Sequence, residues 1–419
     1  MKILQVHKYF TRKRGGGSVT AFFELIKMFS QKGHEVVVFS MHDKDNEPSK
    51  YSKYFTWHFD LNEKTGIWGK IKRAAKFLYN FEAKRNLEEL IKKEKPQIAH
   101  LHNIYHYLSP SIIGTLKKHN ISVVMTLHAY KEICPNYKLF VKGRVCERCK
   151  GGKYYHCFLN KCLKESFSGS FLAMFEAYLH KFLGSYRKVD MFIAPSVFMK
   201  SKCIEFGIPE KKIVVIRNPI DINQIEREMN NDLPEKNYFL CYGRISEEKG
   251  MAGLIRAVEK LEKEKTLGEN ELYIVGKGPE EEKLKQLVVE LDLEKRVKFL
   301  GFKLGKDLFS LVRQAKFVVV PSVWYDNSPM VVLEAQIARK PVVVSDLGGT
   351  KESIIENETG FVFKAGSIDD LAEKIKKTLS LEKDERILMG QKGQENILKI
   401  NDEEKLYREM MNLYESLLC

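Results

Sequence analysis

Asp326 and Glu334 stand eight positions apart, on either side of a Ser328-Pro329 step. Ser is a good helix cap and Pro suits a first helical position, so the pattern predicts a helix over residues 330–338 with Ser328 at its start. Unpaired amides at such a start carry partial positive charge and hold phosphate oxygens. The amides of Ser328, Met330 and Val331 are the candidates, since Pro329 has no N–H to give. One carboxylate is then placed to accept hydrogen bonds from a sugar, the other from a ribose diol. Upstream, Gly243-Arg244 and Lys249-Gly250 set two cations five residues apart. Arg offers a planar fork and Lys a point charge, a pair suited to gripping a diphosphate. Gly276-Lys277-Gly278-Pro279 adds a turn where backbone can approach a ligand. It is not a Walker loop, because no Lys-Ser/Thr follows, and it lacks the three spaced glycines of a dinucleotide fingerprint.

The first half of the chain contributes Gly15-Gly16-Gly17, a second run of bare amides before a helix, and His128 at the end of an apolar run. His102, in His100-Leu101-His102-Asn103, is a weaker acceptor-site candidate that packing explains better. Cysteines cluster between Cys134 and Cys162. Cys146-x2-Cys149-x7-Cys157-x4-Cys162 has knuckle-like spacing, so a structural zinc on those four thiolates is expected, with Cys134 as an alternative ligand. Unmetallated thiols, a redox disulfide and an iron–sulfur cluster are the competing readings. Cys203, Cys241 and Cys419 lie apart.

These groups need elements to hold them. Short apolar runs at 3–7, 35–40, 97–101, 122–127, 191–195 and 214–216 read as buried parallel strands, and a glycine-broken helix follows the first. Around 218–221 comes a turn and a candidate hinge. The alternation restarts with strands at 238–242, 271–275, 297–301, 317–321 and 341–345. Two successive βα arrays predict two doubly wound domains, and 419 residues exceed one ordinary core. Each candidate loop falls after a strand's carboxyl end, where open α/β sheets bind ligands.

Taken together, Gly243-Arg244 with Lys249-Gly250, Val275 to Pro279, Pro321-Ser322, Asp326-x7-Glu334-Ala335, and Pro341 to Val344 with Gly348-Gly349 and Glu352 resemble the group 1 glycosyltransferases, family 4 of the glycosyltransferase classification. The resemblance implies an α/β GT-B fold, with two Rossmann-like domains facing a central cleft, and retaining transfer from a nucleotide-diphosphate sugar (UDP- or GDP-linked). It implies donor-binding roles for Gly16, Gly17, Gly243, Arg244, Lys249, Gly276, Asp326, Ser328, Met330, Val331 and Glu334. His128, Asp326, Arg244 and Lys249 become the catalytic candidates, with Glu334 on the ribose. Asp326 stands where the family has a longer glutamate, which touches the sugar's identity. The implied division is an acceptor-side domain over 1–215 with a Cys-rich insert at 134–162, a donor domain over 216–390, and a C-terminal helix over 391–419 that packs back on the first domain. No catalytic metal is expected, because no Asp-x-Asp pattern lies near the phosphate site.

Composition narrows the partners. The formal charge is +15, which favours anionic ligands. No apolar run reaches about 18 residues, and no leader pattern opens the chain, so a cytoplasmic protein, peripheral at the inner membrane face, is expected. Phe167, Phe171, Phe175, Tyr178, Leu179 and Phe182 recur at helical spacing, as do Trp68, Ile71, Ala75 and Leu78 among basic residues. Core packing is the simpler reading of both stripes, and contact with anionic lipid the other. The acceptor is expected to be a glycan or a lipid-linked sugar, in cell-surface polysaccharide synthesis. A nucleotide-sugar 2-epimerase of the same fold is the rival reaction. A zinc-stapled nucleic-acid-binding protein is the rival of another class, but no aromatic-interleaved basic strand supports it, and no nucleic-acid partner is expected.

Overall fold

The computed structural model describes residues 1–14, 16–58, 66–229 and 233–418. Gly15 of the glycine loop and Cys419 lie outside the described residues. The chain divides into two compact units, one comprising Met1–Val141, Cys146–Ile220 and Glu403–Cys419, the other Lys142–Val145 and Asp221–Asp402.

The first unit is built on β1 (Lys2–Val6), β2 (Glu35–Phe39), β3 (Ile98–Leu101), β4 (Ser122–Thr126), β7 (Met191–Ala194) and β8 (Ile213–Val215), with the short strands β5 (Phe140–Val141) and β6 (Arg144–Val145) between β4 and β7. Its sheet runs β2-β1-β3-β4-β7-β8, with every pairing parallel. Order reverses beside β1, a topological switch point, so the loops after β1, β3 and β4 open at one edge. Helix Glu403–Ser416 closes this unit by inserting Leu406, Met410, Leu413 and Tyr414 among Ile3, Phe29, Ile98 and Val124.

The second unit repeats the plan with β9 (Tyr238–Tyr242), β10 (Glu271–Val275), β11 (Val297–Phe299), β12 (Val318–Val320), β13 (Val342–Ser345) and β14 (Gly360–Phe363). The order is β11-β10-β9-β12-β13-β14, again all parallel. Val-rich strands such as β12 and β13 are buried on both faces, as parallel strands between helix layers must be. Edge strand β14 had no expectation in the sequence pattern. It exists because Gly360 lets its backbone lie against β13, where a Cβ would stand 2.2 Å from the Val342 carbonyl oxygen.

Two expectations change. The boundary near 391 falls inside helix Lys383–Ile400, which stays with the second unit. Gly390 packs directly on the Arg339 carbonyl, and Gln394 accepts from Arg339 Nε at 2.8 Å and donates to the Ile337 carbonyl at 3.1 Å. The chain therefore leaves this unit only at Asp402. The stripe Phe167, Phe171, Phe175, Tyr178 and Phe182 does not pack on a core, because all five rings are exposed. Helix Phe167–Phe182 instead buries Ser170, Ala173, Glu176 and His180.

Candidate active site

In the second unit, loops at the carboxyl ends of β9, β10, β12 and β13 interlock backbone to backbone. Gly276 sits at φ +146°, where an added Cβ would lie 1.8 Å from the Gly243 carbonyl oxygen. Gly278 and Gly250 meet the Ile245 and Pro321 carbonyls the same way, each at 1.9 Å. Gly348 meets the Asp326 carbonyl at 2.1 Å, and the Gly349 amide donates to that oxygen at 2.8 Å. Gly250, Gly276, Gly278 and Gly348 are thus sites of backbone contact that no other residue fits. The contacts bring Gly243, Lys249, Gly276 and Asp326 to neighbouring loops.

Lys249 Nζ donates to Asp326 Oδ2 at 2.5 Å, and Ser322 Oγ donates to the same oxygen at 3.2 Å. The ammonium also lies 5.5 Å from the Trp324 ring centroid. Arg244 is exposed and has no ion pair with any described residue. A fixed cation and an unengaged one thus share the same strand end.

The helix expected to head the phosphate site is Met330–Ile337, and its cap position is taken by Pro329, not Ser328. No side chain caps it. Pro329 has extended backbone with ψ 116°, so it cannot be the first helical residue, and Ser328 lies one position further out. The Met330 and Val331 amides consequently head the helix with no side-chain acceptor. On its other flank, Tyr242 Oη donates to Glu334 Oε2 at 3.1 Å and to the Val331 carbonyl at 3.2 Å. Burial pushes the Glu334 carboxyl up to about 7, against the opposing Tyr242 hydrogen bond. Tyr242 and Trp324 were not anticipated, and Ser322 was read only as part of the Pro321-Ser322 motif. The last residue of a strand before Gly243 was their only signal, and it fits Tyr242 alone.

The first unit holds a line of histidines along β1, β3 and β4. His102 Nε2 faces Gln5 Oε1 at 2.9 Å, and its Nδ1 faces His128 Nε2 at 2.8 Å. A carbonyl oxygen only accepts, so His102 carries its proton on Nε2 and accepts at Nδ1. His128 therefore donates from Nε2 and presents a bare Nδ1. His100 continues the set, with Nε2 2.6 Å from Thr126 Oγ1 and Nδ1 2.7 Å from Tyr414 Oη. Burial pulls His100 and His128 down to about 3, so this cluster is neutral near pH 7. His102 is buried and holds His128 through their hydrogen bond. Gly16 adopts φ +95° and caps helix Gly17–Gln31 with no side-chain hydrogen bond, leaving bare amides at that start. Lys8, pulled down to about 7 by burial and then by the Lys131 charge, stands 4.1 Å from the Tyr105 ring. The sequence pattern had not singled out Lys8.

Cys134, Cys146, Cys149, Cys157, Cys162 and His156 line one small cavity, and none of these cysteines is in a disulfide. The metal expectation gains no support from this geometry. Among the described residues, no group of three or more His, Cys, Asp or Glu side chains is arranged to hold a metal ion. Cys134 Sγ turns instead to Asn136 Oδ1 at 3.3 Å, and burial pushes its thiol up to about 11.

Residues 15–224 match Glycosyltransferase Family 4, half of the chain, and residues 223–396 match Glycosyl transferases group 1. The chain is a member of glycosyltransferase family 4. This glycosyltransferase is 32% identical over 213 residues to an uncharacterized glycosyltransferase of Methanocaldococcus jannaschii, covering 48% of the chain and 53% of that relative. It is 28% identical over 188 residues to the amylovoran biosynthesis glycosyltransferase AmsK of Erwinia amylovora, covering 44% and 46%. The matched segments span about half the length of these two relatives. The solved structure of Anabaena HepE in complex with UDP-glucose superposes with a TM-score of 0.66 at 18% identity, covering 99% of this glycosyltransferase and 100% of that chain. That likeness, with the two parallel six-stranded sheets, establishes the GT-B fold. Arg244, Lys249, Asp326 and Glu334 all belong to the group 1 segment.

Proposed function

We propose that this glycosyltransferase moves a sugar from a nucleoside diphosphate to a glycan or lipid-linked acceptor, with retention of configuration, in cell-surface polysaccharide synthesis. One arrangement carries the reading: the Lys249–Asp326 pair and unengaged Arg244 occupy the same strand ends as the uncapped helix Met330–Ile337. HepE binds UDP-glucose, which favours a UDP-sugar donor, and AmsK acts in amylovoran synthesis, which favours a polysaccharide product.

In this reading the diphosphate lies on the Met330 and Val331 amides and takes the charges of Arg244 and Lys249. Those cations stabilise the negative charge that grows as the glycosidic bond breaks. Phosphate competes with Asp326 for the ammonium, so donor binding loosens the Lys249–Asp326 pair and turns Asp326 toward sugar hydroxyls. Glu334, held by Tyr242, accepts from the ribose diol. The acceptor oxygen attacks on the face the phosphate leaves, and the departing phosphate oxygen takes the acceptor's proton. The first unit serves the acceptor, with bare Nδ1 of His128 as its hydrogen-bond acceptor for the reacting sugar.

The test combines donor binding and turnover. UDP- and GDP-sugars are screened by thermal shift, since a ligand bound only by the folded state raises its stability. Lys249→Ala and Glu334→Ala are then assayed for transfer with the donor so found. Both should lose transfer and keep native circular dichroism. Wild-type turnover in either removes the assignment, and product formed with no acceptor would indicate the epimerase instead.

A further inference from the structure

Helix Phe167–Phe182 is amphipathic in reverse. Its inward side carries Ser170, Glu176 and His180, which are 0%, 1% and 2% exposed. Each has a polar partner there. Ser170 Oγ accepts from the Leu163 amide at 2.9 Å, and Glu176 accepts from Lys131 Nζ at 2.6 Å. His180 Nε2 lies 2.8 Å from the Leu78 carbonyl, and Nδ1 lies 2.9 Å from Ser185 Oγ. The orientation is therefore locked by polar contacts. Aromatic rings pay for it on the outside, with Phe171 at 51% and Phe182 at 89% exposure. A helix that buries a carboxylate and shows four phenylalanines to solvent has an unmatched apolar face.

The Leu78 bond ties this helix to helix Ile67–Leu78, which adds Trp68, 83% exposed, and Ile71. That second helix contains Lys70, Lys72, Arg73 and Lys76 and no acidic residue. Lys161 Nζ sits 4.0 Å from the Phe167 ring. Aromatic rings among cations match a bilayer interface, where rings enter the headgroup region and ammonium groups meet lipid phosphates. A second copy of the chain would set these cations against their like, so self-association is the poorer occupant. No helix among the described residues is long and apolar enough to cross a membrane, so contact is along the surface.

We propose that these two helices form a docking face for anionic lipid. Full-length protein is mixed with phosphatidylcholine vesicles, or with vesicles carrying about 30% phosphatidylglycerol, and bound protein is measured by flotation. Binding should need the anionic lipid and weaken as salt rises from about 0.1 to 0.5 M. Phe171→Ser with Phe182→Ser, both exposed and outside the donor site, should lower partitioning about tenfold while leaving the melting temperature unchanged. Trp68 fluorescence should be quenched by brominated lipid in the wild type. No binding to the anionic vesicles at low salt overturns the proposal, as does full binding by the double variant. Lipid-free dimers that the double variant abolishes would overturn it too, by assigning the face to a second copy. None of these readouts uses sugar transfer, so the docking face stands or falls apart from the proposed reaction.

Discussion

Gly276→Ala tests the interlocked loops most directly. The new Cβ would stand 1.8 Å from the Gly243 carbonyl oxygen and 3.0 Å from its carbon, at φ +146°. Ordinary contact needs well over 3 Å, so one strand end must retreat by more than an ångström. Neither end is loose. Gly243 N donates to the Val275 carbonyl at 2.9 Å, Gly276 N to the Gly301 carbonyl at 2.9 Å, and Ile245 N to the Lys277 carbonyl at 3.1 Å. Positive φ alone costs about 1–3 kcal/mol. Overpacking against fixed backbone adds about 1–3 kcal/mol. The sum, about 4 kcal/mol, should lower the melting temperature of a unit this size by about 8–16 °C. Gly366→Ala is the control, since Gly366 has φ +78° and nothing within 4 Å of its Cβ, so it bears the dihedral cost alone. Displacing Gly243 also moves Arg244, and a 1 Å misplacement costs about a hundredfold in a positioned reaction. Differential scanning calorimetry and UDP titration calorimetry read both effects. A Gly276→Ala protein that melts like Gly366→Ala and binds UDP like wild type would refute the close-approach reasoning.

Glu334 should make donor binding pH-dependent. With its carboxyl near 7, the ionised form grows from pH 6 to pH 8, and affinity should rise about tenfold over that interval if only the carboxylate holds the diol. Glu334→Gln should flatten the profile. In the ligand-free protein the sign is opposite: the folded state holds this proton more tightly, so the contribution is full below 4.5 and fades as pH rises through 7. His102→Leu removes the partner that sets His128's proton, and should lower kcat about tenfold or more with donor affinity unchanged. His102→Asn, whose oxygen can accept from His128, should recover part of the loss, and ¹⁵N chemical shifts of His128 should report the tautomer in each variant. Glu176→Ala strands Lys131 in the interior and should cost about 3–5 kcal/mol in urea denaturation. Burial would raise Glu176, yet Lys131 and His106 hold it at about 2, so its share of stability should be full above 4.5 and be lost as pH falls from there through 2.

The periodic βα alternation was legible in the sequence, because a buried parallel strand needs an uninterrupted apolar run and a helix a spaced one. The intervals of cations, acids and glycines also placed the candidate donor-side residues after strand ends, where the structure brings Gly243, Lys249, Gly276 and Asp326 to neighbouring loops. Local pattern also located the cysteines, but it could not orient them. Sulfur positions depend on how loops cross, and these crossings gather five cysteines around one small cavity. The same limit misjudged Ser328, because a cap is decided by the dihedrals of Pro329 and not by the preference of a neighbour.

By itself the sequence determined which residue types recur at which interval, and hence the two Rossmann-like units and the candidate residues after their strands. Tertiary structure alone decided the rest: that His102 supports His128, that Lys249 pairs with Asp326, and that helix Phe167–Phe182 turns its rings outward. Helical spacing states that an aromatic face exists, but not which way it points. That direction was set by Lys131 and Leu78, distant in sequence, which hold Glu176 and His180 more strongly than water would.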